Sequence, residues 1–191
     1  MGFVHYFKNS VDDLFGNICA NKWRFVLCVI ICLLGTACGI AFVYAFQYGW
    51  WYYNRCDFAC KLMQGGFTIF VIFVMGTALL YVTMILCNML KETCRLSCIP
   101  VFVACLYLGA TTAALFTMSV MWGVLFVVFV VLEDLAINCF ACFVCFNEKP
   151  ICRRFTEAVC DLKQLALVLA VGLIYKIFAY FVIIKILTAI I

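Results

Sequence analysis

Charged side chains are scarce in this chain: thirteen Lys plus Arg and nine Asp plus Glu stand among 191 residues, where a soluble chain of that length carries roughly 48. So few charges cannot clothe a surface in water, which excludes a soluble globular fold. The formal excess of +4 is scattered rather than gathered in a tract, and this excludes nucleic acid as a partner, because such binding needs clustered Lys and Arg. A single histidine, His5, removes both the mixed Cys/His zinc arrangement and a second imidazole for acid and base work. The signatures HExxH, GxSxG and GxxxxGK[ST] are missing as well. The expectation is therefore a protein that is not an enzyme and carries no cofactor and no metal.

What the chain does contain is apolar: 69% of its residues are hydrophobic and its mean hydropathy is +1.20. These residues come in blocks of about 20 or more, each long enough to cross a hydrocarbon core about 30 Å thick. The fold class predicted is all-α, a polytopic membrane helical bundle of about five transmembrane helices preceded by an amphipathic interfacial helix. Its essential partner is the lipid bilayer.

The amphipathic helix is expected over residues 1–24, where Phe3, Phe7, Leu14, Phe15 and Ile18 recur at helical spacings with Lys8, Asn9, Asp12 and Asp13 between them. The following apolar stretch is too long for a signal-peptide core. Tyr6 stands where a myristoylation motif needs Ser or Thr. The bundle occupies residues 25–191, with spans expected at 25–46, 67–90, 100–118, 120–146 and 165–191. Lys22, Trp23 and Arg24 precede the first span, and the rings of Tyr48, Trp50, Trp51, Tyr52 and Tyr53 follow it at headgroup level. Pro100 is tolerated in the first turn of the third span.

Orientation follows from Lys and Arg in the short loops. With the N-terminus inside and five crossings, the inner side holds Lys8, Lys22, Arg24, Lys91, Arg95, Lys149, Arg153, Arg154 and Lys163, against Arg55 and Lys61 outside. Folding the fourth block back as a re-entrant pair destroys that bias. The expected localisation is a multi-pass protein of the cytoplasmic membrane, N-terminus inside and C-terminus outside.

Glu133 and Asp134 fall near the middle of the fourth apolar block, where an ionised side chain costs several kcal/mol and marks a functional site by default. Lys176 reaches a similar depth on the fifth span and can pair with one of them, whereas Lys185 lies nine residues further and can snorkel. An ion, proton or substrate site is one reading; a structural ion pair, or a helix break that wets both carboxylates, is the other. Gly35 and Gly39 form a GxxxG, and Gly109 with Ala113 a small-xxx-small pair, so backbones can approach closely there, within the bundle or across a homodimer face. Cys139, Cys142 and Cys145 repeat as CxxCxxC. Fifteen cysteines in one chain suit a reducing compartment, and most lie in apolar runs where they act as small hydrophobes.

Asn21, Lys22, Trp23 and Arg24 leading into the Gly35/Gly39 span, Gly109 in the third, and Trp122, Gly123, Val124, Leu125 and Phe126 opening the fourth resemble the stage II sporulation protein M family, small five-span bacterial membrane proteins with an amphipathic N-terminus. The resemblance implies a non-catalytic membrane scaffold that recruits cell-wall-remodelling partners, among them peptidoglycan hydrolases. The alternative, drawn from Glu133, Asp134 and Lys176, is a small membrane transporter or transport subunit.

Overall fold

The computed structural model describes residues 15–46, 67–89, 98–147 and 166–182, with isolated positions at 9, 12–13, 53–54, 56–58 and 60–61. Among them there are helices and turns and no strand. Residues 15–20 are helical and largely exposed, while Phe3, Phe7 and Leu14 of the expected amphipathic helix lie outside the described residues, as do Tyr48, Trp50, Trp51 and Tyr52. The long elements are α1 (Lys22–Ala45), α2 (Phe67–Met89) and α3 (Cys98–Met118). A nearly continuous helix follows, made of α4 (Val120–Phe126), a π-helical turn (Val127–Val131) and α5 (Leu132–Asn147). The last is α6 (Ala166–Val182). Cys98 opens α3, and the C-terminal residues 183–191, including Lys185, lie outside the described set.

Among the described residues three helices are long and apolar enough to cross a membrane: Lys22–Ala45, Cys98–Met118 and Val120–Val144, with shorter apolar stretches at Val74–Leu86 and Ala166–Val182. Their outward faces agree with that reading. Leu34, Leu79, Val120, Leu132, Ile174 and Phe178 are each more than half exposed, an arrangement that water penalises and lipid does not. Inside the helices, three threonine hydroxyls are satisfied locally. Thr36 donates to the Cys32 carbonyl at 3.0 Å, Thr111 to Tyr107 at 2.9 Å and Thr112 to Leu108 at 2.7 Å, so these side chains enter an apolar bundle without an orphaned donor.

Helices α1 and α3 meet backbone to backbone. An added Cβ on Gly35 would stand 2.8 Å from the Phe102 carbonyl oxygen, one on Gly39 would collide with the backbone of Leu106, and one on Gly109 with the backbone of Thr36. These glycines let two backbones touch, which replaces the hydrophobic drive that lipid does not supply with dispersion contact. The register rises along both helices, because Val43 packs on Ala110 and Ala113 further along. Helices α1 and α3 therefore run parallel.

The chain reverses at Ser119, whose extended backbone (φ −158°, ψ 122°) separates α3 from α4. Gly123 makes the return tight, since an added Cβ would lie 2.6 Å from the Phe116 ring. Leu108, Ala114 and Leu115 then pack on Phe126, Val130 and Val131, and the start of α3 meets the end of α5 through Val101, Cys105, Cys142 and Val144. The hairpin is antiparallel. At its far end Phe25 of α1 packs on the rings of Phe140 and Phe143, with centroids 5.9 and 5.7 Å away, which closes a core of α1, α3 and α5.

Candidate functional site

The π turn decides which residues of the fourth apolar block face inward. The Leu132 amide donates to the Val127 carbonyl, five residues back, so one extra residue is accommodated and the following helix is rotated relative to an uninterrupted one. The helix is not broken there. Leu132 faces outward while Asp134 and Asn138, four residues apart and hence on one face, are buried.

Asp134 meets a cation supplied by α6. The Lys176 ammonium stands 2.6 Å from Asp134 Oδ1 as an ion contact rather than an aligned hydrogen bond, and it donates to Thr77 Oγ1 of α2 at 3.0 Å. Asp134 and Lys176 are each only 6% exposed. Gly172 sets this approach: a Cβ there would lie 2.9 Å from the Tyr81 hydroxyl and 3.1 Å from Ile137 Cγ2. With no side chain at Gly172, α6 closes on α2 and α5, and Lys176 one turn later reaches Asp134. Thr77 and Tyr81 are likewise one turn apart on α2. The contacts Thr77 to Lys176 and Tyr81 to Gly172 run in opposite senses along their helices, as do Asp134 to Lys176 and Ile137 to Gly172, so α6 is antiparallel to both α2 and α5.

Glu133 is the member of the expected trio that the pair leaves out. Both of its carboxylate oxygens are buried, and neither finds a hydrogen-bond partner among the described residues. The same holds for the Tyr81 hydroxyl and the Asn138 side-chain oxygen. Desolvating a polar group without a partner costs about 1–3 kcal/mol, more if it is charged. The Asp134–Lys176 contact therefore lies on helices that also bury side-chain oxygens without a hydrogen-bond partner among the described residues.

Thr77, Tyr81, Asn138 and Gly172 were not among the residues expected from sequence. Their signal is spacing: each pair Thr77/Tyr81, Asp134/Asn138 and Gly172/Lys176 is four apart in an apolar run, which places a polar or small residue beside its partner on one face.

Gly35, Gly39, Gly109 and Ala113 lie in the α1–α3 packing within one chain. A second cluster is made of thiols. Cys28 and Cys32 of α1, Cys105 of α3, and Cys139 and Cys142 of α5 are buried together, with Cys98 packed against them. All six are free thiols. The CxxCxxC pattern thus contributes Cys139 and Cys142 to a contact between three helices; the Cys145 side chain lies outside the described residues. Among the described residues no set of three or more His, Cys, Asp or Glu is arranged to hold a metal ion.

The chain matches no family model, no curated protein and no solved structure.

Proposed function

We propose that this protein crosses the membrane five times and acts as a small transporter, or transport subunit, through the site of Glu133, Asp134 and Lys176. The observation that carries the reading is Glu133. A bundle braced by an ion pair needs one carboxylate opposite Lys176, and Asp134 fills that role. A second carboxylate with both oxygens buried and without a hydrogen-bond partner among the described residues only costs stability, unless it meets a species that comes and goes.

Two further features support it. The π turn ends two residues before Glu133, and such turns are frequent at functional sites. Parallel α1 and α3, antiparallel α3 and α5, and antiparallel α5 and α6 are the directions that alternate crossing requires, and with nine Lys or Arg on one side against two on the other they support an inner N-terminus and an outer C-terminus.

The scaffold reading that the family resemblance implies needs none of the unpartnered oxygens. The two part in proteoliposomes on a solid-supported electrode, where ion and solute gradients are jumped one at a time. A transporter gives charge displacement that Glu133→Gln abolishes at unchanged abundance. If no gradient moves charge through the wild-type protein, transport is wrong and recruitment of cell-wall-remodelling partners becomes the better reading.

A further inference from the structure

The π turn and the two carboxylates share one pattern. Val127 with Val128, Val130 with Val131, and Glu133 with Asp134 are pairs of like residues that recur every three positions. A shift of this segment by one residue therefore replaces a valine by a valine at two places and a carboxylate by a carboxylate at the third. Phe129, which moves with them, already packs against the same cluster as Val130 and Val131.

The turn supplies the means of that shift. Its bond from the Leu132 amide to the Val127 carbonyl reaches five residues back, so it stores one residue more than an α-helix holds over the same length. Each residue beyond it stands where its predecessor would stand in an uninterrupted helix, and Asp134 thus occupies the place of Glu133. When the stored residue passes to the turn ahead of Ile137, the segment in between rotates by about 100° and advances by about 1.5 Å. Glu133 then takes the position that Asp134 holds now. Ile137 need not move: its Cγ2 is set against α6, 3.1 Å from where a Cβ on Gly172 would stand, and Cys139 and Cys142 stay in the core beyond it. Nor does charge oppose the exchange. In the observed register Lys176 lies 2.6 Å from Asp134 Oδ1, while Glu133 buries both oxygens without a hydrogen-bond partner among the described residues. In the shifted register the carboxylates trade roles, so each register holds one ion pair and one further carboxylate at similar electrostatic cost.

We propose that the segment Val127–Asp134 has two registers and that Lys176 is shared between them, paired with Asp134 in one and with Glu133 in the other. Passage of the π turn across the carboxylates is the conformational step. By exchanging partners, Lys176 releases one carboxylate to a transported species while it holds the other. For that use the proposal rests on the transport reading, whereas the two registers stand without it.

The experiment is a cycle of charge-removing variants of the full chain, read as melting midpoints in detergent. In the parent, Glu133→Gln removes a carboxylate that Lys176 does not hold, and the midpoint should stay or rise. In an Asp134→Asn background Lys176 takes Glu133 as its partner, so the same Glu133→Gln strands the ammonium and should lower the midpoint by about 6–20 °C. That reversal of sign is the expected result. An equal effect of Glu133→Gln in both backgrounds overturns the proposal, because Glu133 then never meets Lys176. A second variant tests the turn itself. Deleting Val128, which is half exposed, removes the stored residue and leaves an uninterrupted helix with Asp134 still opposite Lys176. Asp134→Asn should then lower the midpoint by about 6–20 °C on its own, and adding Glu133→Gln should lower it no further. A reversal that persists in the deletion variant overturns the proposal, since some motion other than passage of the π turn then carries Glu133 to Lys176. If the deletion prevents folding, the cycle in the full-length chain decides. Reversal without charge displacement in proteoliposomes sinks transport and leaves the two registers standing, whereas displacement without reversal does the opposite.

Discussion

Replacing Lys176 by Met removes the ammonium and keeps the bulk of the chain's stem. In the structure that ammonium is 2.6 Å from Asp134 Oδ1, and the two side chains are 7% and 8% exposed. At an effective dielectric of about 20, such a contact is worth roughly 6 kcal/mol of attraction. It opposes a desolvation penalty of several kcal/mol per ion, so the intact pair contributes little net stability, but removing one partner leaves the other's penalty uncompensated at about 3–5 kcal/mol. For a chain of this size each kcal/mol moves the melting midpoint by about 2–4 °C, so Lys176→Met should lower it by about 6–20 °C. The double variant Asp134→Asn with Lys176→Met buries no charge from this pair and should return to within about 1 kcal/mol of the parent. Melting of the purified proteins in detergent, together with their abundance in membranes, reads both. A single variant within about 1 kcal/mol of the parent, or a double variant as unstable as the single, would refute the idea of a buried pair between α5 and α6.

Other outcomes follow from the same structure. The triple variant Glu133→Gln, Asp134→Asn and Lys176→Met should regain abundance but give no charge displacement; a triple variant that transports normally would remove these residues from the mechanism. Gly39→Ala places a methyl against the Leu106 backbone and should cost about 1–3 kcal/mol by melting. Gly76→Ala, with open space around its Cβ, should stabilise by up to about 1 kcal/mol, so equal effects at the two sites would contradict the α1–α3 packing. In detergent, Cys19 should react with a maleimide in the native protein, whereas Cys28, Cys32, Cys105, Cys139 and Cys142 should react only after unfolding, as their burial requires; reporter fusions complete the set, with Arg153 expected inside and the end at Ile191 outside.

Much of the architecture is written in the order of residues because a membrane leaves few choices. Backbone polar groups without water must be satisfied within each segment, so an apolar run of sufficient length is a helix, and α1 begins within three residues of its expected start and α2 at the expected residue. The glycines of α1 and α3 were legible for a similar reason: a missing side chain has no other use at that spacing than close approach. Depth was legible too, since counting residues along a helix places Lys176 level with Asp134.

Rotation about each helix axis was not. Glu133 and Asp134 are neighbours in sequence and equally able to pair, and it is the π turn at Val127–Val131 that turns Asp134 toward α6 and leaves Glu133 without a hydrogen-bond partner among the described residues. The same limit hid Tyr81, Thr77 and Gly172, whose importance depends on which helix stands beside which. It also hid the thiol contacts, because Cys28, Cys32, Cys105, Cys139 and Cys142 come from three helices and no spacing within one helix records another's position. Apolarity along the chain determined that helices form and roughly where they end. Which faces meet was decided only by packing, since in an all-apolar run the sequence offers no hydrophobic stripe to distinguish inside from outside, and contact shape at Gly39, Gly109 and Gly172 settles what hydrophobicity cannot.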